Sequence, residues 1–67
     1  MTELKRRRTE KNMTQGQLAA AIGVNQNTIS NWESGFRKPD IIMLIKLAKI
    51  FECTADELLV DIEEKEV

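Results

Sequence analysis

Eight residues between positions 15 and 32 constrain this chain more than any other feature: Gln15, Leu18, Ala19, Ile22, Gly23, Val24, Ile29 and Trp32. Each meets a steric demand of two short helices packed across a tight turn. Leu18, Ala19 and Ile22 recur at helical spacing and make one apolar face. Ala19 is small where the helices would cross. Gly23 can adopt the left-handed backbone that ends a helix, and Val24 can plug the corner that follows. Ile29 and Trp32, one turn apart, would dock a second helix back onto the first. Any one of these residues is weak evidence; their agreement in register is what carries the reading.

The rest of the chain divides into helices by the same local chemistry. A first helix is expected from about Glu3 to Asn12, where Asn tolerates the left-handed conformation. Thr14 is placed to cap a second helix over Gln15 to Ile22, which Gly23 stops, and Asn25 to cap a third over Gln26 to Ser34, which Gly35 stops. Pro39 and Asp40 introduce a fourth over Ile41 to Phe51. Thr54 with Glu57 three residues on forms a capping box for a fifth, Ala55 to Val60. On a helical wheel the fourth helix shows a core stripe of Ile41, Leu44, Ile45, Ala48 and Phe51, with Ile42, Met43 and Ile50 beyond it. Gly16 is a misfit in the first turn of its helix and reads as drift. No stretch alternates as a half-buried strand does, so the expected fold is all-α: five helices over residues 1–60 and an acidic, fraying tail over 61–67.

Composition narrows the function. Sixty-seven residues make one small domain with a single core and no room for a walled cleft. There is no His, and Cys53 stands alone, so a Cys/His metal site and catalysis by a His base are both outside this chain's chemistry. No enzyme activity, metal, cofactor or small-molecule ligand is expected. A single thiol suits a reducing cytoplasm. No apolar run approaches the roughly 18 residues of a membrane span, and no signal peptide is recognisable. Residues 1–38 hold seven basic side chains against three acidic ones, a net of +4, while 39–67 hold three against eight, a net of −5. One half can face phosphates; the other should face water. The run Lys5 to Arg8 by itself reads as an ordinary solvated helix face.

The stretches MTQGQLAAAIGVNQNTISNWESGFRKPD and LIKLAKIFECTADELL resemble the lambda-repressor-like family, also called the Xre or Cro/C1 type, from Leu4 through Val60. The resemblance implies a compact five-helix domain whose second and third helices form a helix-turn-helix. It implies that the third helix lies in the DNA major groove and that the domain binds an inverted-repeat operator as a homodimer. The residues agree independently. At about 100° per residue, Gln26, Ser30, Ser34, Asn27 and Asn31 share an arc of roughly 140°, and Ile29 and Trp32 lie nearly opposite. Amide side chains suit base edges, because Gln and Asn can pair bidentately with adenine. Gln26, Asn27, Ser30 and Asn31 are thus the candidate base contacts; Gln15, Asn25, Ser34, Arg37 and Lys38 are the candidates for phosphate.

The resemblance further implies that Arg8 pairs with Glu33, tying the first helix to the third and neutralising a carboxylate that would repel DNA. Arg7 departs from the family, which commonly has Leu there. Trp32 is read as core. Met43 and Ile50, seven residues apart, are the candidate dimer contact. The function expected is sequence-specific, repressor-like regulation of transcription; the competing reading is a protein-interaction module, antitoxin-like or anti-repressor, that keeps the fold and masks another protein.

Overall fold

Helix punctuation in this chain is done mostly by side chains, and a computed structural model, which describes residues 1–59, shows each device in place. The elements are α1 (Thr2–Glu10), α2 (Gln15–Ile22), α3 (Gln26–Ser34), α4 (Ile41–Phe51) and α5 (Ala55–Leu58), with no strand among the described residues. Thr14, Asn25, Asp40 and Thr54 each accept a backbone N–H from the first turn of the helix they precede. Thr14 and Thr54 also donate their own backbone N–H to the side-chain oxygens of Gln17 and Glu57, which completes two capping boxes. Gly23, at φ 82°, ends α2 in the left-handed conformation.

Two boundaries differ from expectation. α1 closes at Glu10, because the Lys11 N–H reaches back to Arg7 and Arg8, and Asn12 takes the left-handed turn at φ 59° outside the helix. α5 closes at Leu58 with Leu59 as its cap. Val60 and the acidic tail lie outside the described residues.

α2 packs against α3, α1 against α3 and α5, and α4 against α5 and α2. Their shared core holds Leu4, Leu18, Ile29, Leu47 and Leu58, all fully buried, together with Ala19, Ile22, Trp32, Leu44, Ala48 and Phe51. Each large side chain so buried contributes about 1.5–3 kcal/mol by transfer from water. Trp32 is core, as its place on α3 suggested.

The buried stripe of α4 is not the one the wheel suggested. It consists of Leu44, Leu47, Ala48 and Phe51, whereas Ile41 and Ile45 are exposed, with Ile42 beside them. Met43 and Ile50, on the other flank, are half-buried and packed on the chain's own core. These two candidate dimer contacts thus offer a second copy less free surface than Ile41, Ile42 and Ile45 do. α4 is apolar around most of its circumference, so periodicity left the register open and packing against α5 and α2 chose it.

Candidate nucleic-acid interface

The turn from α2 to α3 is three residues long and fixed at both ends. Gly23 donates its N–H to Ala19 O at 2.9 Å, and Asn25 Oδ1 accepts from the Thr28 N–H at 2.9 Å and the Thr28 hydroxyl at 3.0 Å. α3 is thereby held with Ile29 and Trp32 in the core. Its opposite face carries Gln26, Asn27 and Ser34 exposed and Ser30 and Asn31 half-buried. The side chains of Asn27, Ser30 and Asn31 have no hydrogen-bond partner among the described residues, so a row of donors and acceptors on one helix face is open to a ligand. Ser34 differs, since its hydroxyl donates to Asn31 O at 3.2 Å and accepts from Phe36 N, closing the end of α3. Asn25 likewise spends its oxygen on the cap and keeps only its amide N–H groups for a further contact.

Behind this face runs a polar network. Arg8 donates to Glu33 through Nε at 2.6 Å and Nη2 at 3.2 Å, and through Nη1 to Met13 O at 2.7 Å. Both side chains of the pair are nearly out of solvent, at 10% and 5% exposure. Gln15 Nε2 donates to Glu33 Oε1 at 3.0 Å, and Gln15 Oε1 accepts from Gln26 Nε2 at 3.4 Å. Burial works to raise the Glu33 pKa, but the Arg8 and Gln15 hydrogen bonds, with the attraction of Arg8 and Lys5, outweigh it and hold the carboxyl below its ordinary value. The one acid of α3 is thus held as a carboxylate with its charge met by Arg8.

The arginine run of α1 is spent inside the molecule. Arg6 pairs with Glu3 and Glu10, and Arg7 pairs with Glu3 at 2.8 Å and Glu57 of α5 at 3.8 Å. Where a Leu would bury apolar surface, Arg7 instead bridges α1 to α5. Lys11, Arg37 and Lys38 are exposed and make no ion pair among the described residues, which leaves them as cations available to phosphates. The Arg37 guanidinium lies over the Phe36 ring, 5.5 Å from its centroid. Phe36 itself, 73% exposed at the end of α3, went unnoticed in the sequence, although a large aromatic in a loop between Gly35 and two cations was a signal to be had.

Among the described residues no group of His, Cys, Asp and Glu could hold a metal ion, and no helix is long and apolar enough to cross a membrane.

Known proteins bear on this geometry. A helix-turn-helix family model matches residues 4–58. The chain is 46% identical over 57 residues to the HTH-type transcriptional activator BcrR of Enterococcus faecalis, covering 85% of this chain and 28% of that protein. It is 39% identical over 59 residues to the HTH-type transcriptional regulator AnsR of Bacillus subtilis, covering 88% and 48%. An uncharacterised HTH-type transcriptional regulator of Archaeoglobus fulgidus is 33% identical over 64 residues, covering 96% and 90%. The chain therefore spans less than half of the two bacterial relatives and nearly all of the archaeal one. No solved structure matches it significantly.

Proposed function

The chain belongs to the lambda-repressor-like family of DNA-binding helix-turn-helix transcriptional regulators, and we propose that it reads a specific duplex sequence by laying α3 in the major groove. The observation that carries this is the polar face of α3, where Asn27, Ser30 and Asn31 stand unpartnered opposite the buried Ile29 and Trp32. Gln26, Asn27, Ser30 and Asn31 meet base edges. Gln15, Asn25, Arg37 and Lys38 grip phosphates on either side; Ser34, whose hydroxyl proton goes to Asn31 O, closes the helix end instead. The first turns of α2 and α3 add backbone N–H groups at the positive ends of their helices.

The working unit is a homodimer on an inverted repeat, with half-site centres about 10 to 10.5 base pairs apart. Exposed Ile41, Ile42 and Ile45 on α4 give a second copy its apolar contact. The same patch would also serve a different protein, which keeps the interaction-module reading in play. An apolar patch of this kind on so small a domain fits a weak contact that two half-sites reinforce. Repression follows if the operator overlaps a promoter, and the domain works wherever DNA is reached, in the cytoplasm.

Selection of bound sequences from a random duplex pool tests the reading. An enriched inverted repeat is expected, with log K falling against log salt by about 0.9 for each phosphate neutralised. Lys38→Ala should weaken all sequences alike, and Asn27→Ala should change the preferred base at one position of each half-site. No enrichment at low salt would hand the function to the interaction-module reading.

A further inference from the structure

Phe36 follows directly on α3 and is 73% open to water, so the core gains little from its ring. Its setting is nevertheless a fixed one. Gly35 takes the left-handed turn at φ 87°, the Phe36 N–H reaches Ser34 Oγ at 3.4 Å, and the Arg37 N–H donates to Asn31 O at 3.2 Å. Both residues are thus tied through their backbones to the last turn of α3, and they keep a set offset from Asn27, Ser30 and Asn31. The Arg37 guanidinium lies over the Phe36 ring at 5.5 Å from its centroid, within the range of a cation–π contact. The other arginines, Arg6, Arg7 and Arg8, all pair with acids. Among the described residues Arg37 is the one arginine whose partner is a ring.

We propose that Phe36 is a positioning residue for DNA binding: its ring holds the Arg37 guanidinium in place at the end of α3, so that Arg37 meets a phosphate already aimed. This rests on the reading of Arg37 as a phosphate contact. An exposed arginine has many rotamers, and fixing one of them on DNA costs free energy at the moment of binding. A ring beneath the guanidinium narrows those rotamers beforehand. A contact through the face of the ring consumes none of the five N–H donors, so all remain for a phosphate, which an arginine can take with two parallel bonds. An acid in the same place would order the side chain too, but it would spend those donors and cancel the charge, as Glu3 and Glu10 do for Arg6. Because the pair rides on α3, its grip also sets the register of the reading face against the base edges.

The test is a double-mutant cycle on the selected duplex, with Phe36→Leu, Phe36→Trp, Arg37→Ala and the combined Phe36→Leu with Arg37→Ala, each titrated over a salt series. Leu keeps an apolar side chain without a π face, and Trp offers a stronger one. Position 36 is exposed, so every variant should melt near the parent, which circular dichroism checks. Phe36→Leu is expected to weaken binding roughly 2- to 5-fold, the equivalent of one exposed cation–π contact. Its slope of log K against log salt should stay at the parent value, since the phosphate is still met. Arg37→Ala lowers that slope by about 0.9, and in that background Phe36→Leu has no further effect. Phe36→Trp binds at least as tightly as the parent.

The proposal is overturned if Phe36→Leu binds like the parent, or if it costs as much in the Arg37→Ala background, which would make the ring a direct DNA contact. It also falls if Arg37→Ala keeps the parent's affinity and slope, because Arg37 then grips no phosphate; a base preference retained at the position read by Asn27 would show that the reading of α3 survives that result. A parent that enriches no sequence overturns the proposed function itself, and the inference with it.

Discussion

Arg8 of α1 holds Glu33 of α3 by two hydrogen bonds, at 2.6 and 3.2 Å, in a contact from which both side chains exclude nearly all water. The contact docks α1 on α3, and it neutralises the one acid of that helix. Removing one partner strands the other in a buried site, at a cost of about 3–5 kcal/mol. Arg6 is half exposed and paired only along its own helix, where water screens both charges, so its loss should hardly be felt. Urea denaturation should accordingly separate Arg8→Ala from Arg6→Ala by a wide margin; equal midpoints would show that the pair does not hold α1 in place.

Acid should weaken the fold through the same carboxyl. The Glu33 pKa is lowered in the folded chain from an ordinary value of 4.5, so the unfolded chain takes up the proton first. Its contribution is fully present above about pH 4.5 and is lost as pH falls through the lower folded value. Glu3, held down by Arg6, and Glu57, held down by the Thr54 backbone N–H, act with the same sign. Stability measured at intervals from pH 6 to pH 3 should decline, and Glu33→Gln should flatten the part of the slope that Glu33 supplies. A parent protein as stable at pH 3 as at pH 6 would contradict the assignment.

Backbone substitutions should act in opposite directions at two places. A Cβ on Gly16 would lie 3.7 Å from Gln26 Oε1 and 3.9 Å from Thr14 Oγ1, which is ordinary contact, so Gly16→Ala should stabilise by about 0.5–1 kcal/mol. Gly23 has open space around it but φ +82°, so Gly23→Ala should cost about 1–2 kcal/mol from the backbone alone. Thermal melts of the two variants test this directly, and a destabilised Gly16→Ala would mean that the approach of Gln26 to α2 needs the missing methyl.

The register of α4 makes a paired prediction. Leu47 is fully buried, and Leu47→Ala should cost about 2–5 kcal/mol, whereas Ile41→Ala, at an exposed site, should stay within about 0.5 kcal/mol. Ile42→Lys with Ile45→Lys should likewise leave the fold standing. That double variant should nevertheless lower the mass seen by sedimentation and abolish the penalty for inserting five base pairs between half-sites. Association unchanged by both charges would remove this face from the dimer.

Much of the molecule was legible because its signals are local. Thr14, Asn25, Asp40 and Thr54 satisfy the backbone donors of the turn they precede, and Gly23 relieves a steric clash within its own residue, so α2, α3 and α4 have the bounds the sequence suggested. The polar face of α3 was readable for the same reason, since Ile29 and Trp32 fix by periodicity which side is buried. The sequence by itself determined helix number and order, the ends of α2, α3 and α4, and which side of the third helix is free. Tertiary structure decided what depends on residues far apart in the chain. Apolar side chains nearly encircle α4, so only the positions of α5 and α2 selected Leu47 for the core and left Ile41 and Ile45 outside. Gln15 and Glu33 are eighteen residues apart, and no propensity or period places one amide against that carboxylate. Burial and hydrogen-bond polarity are properties of the assembled core, and they exist only once α1, α2 and α3 have met.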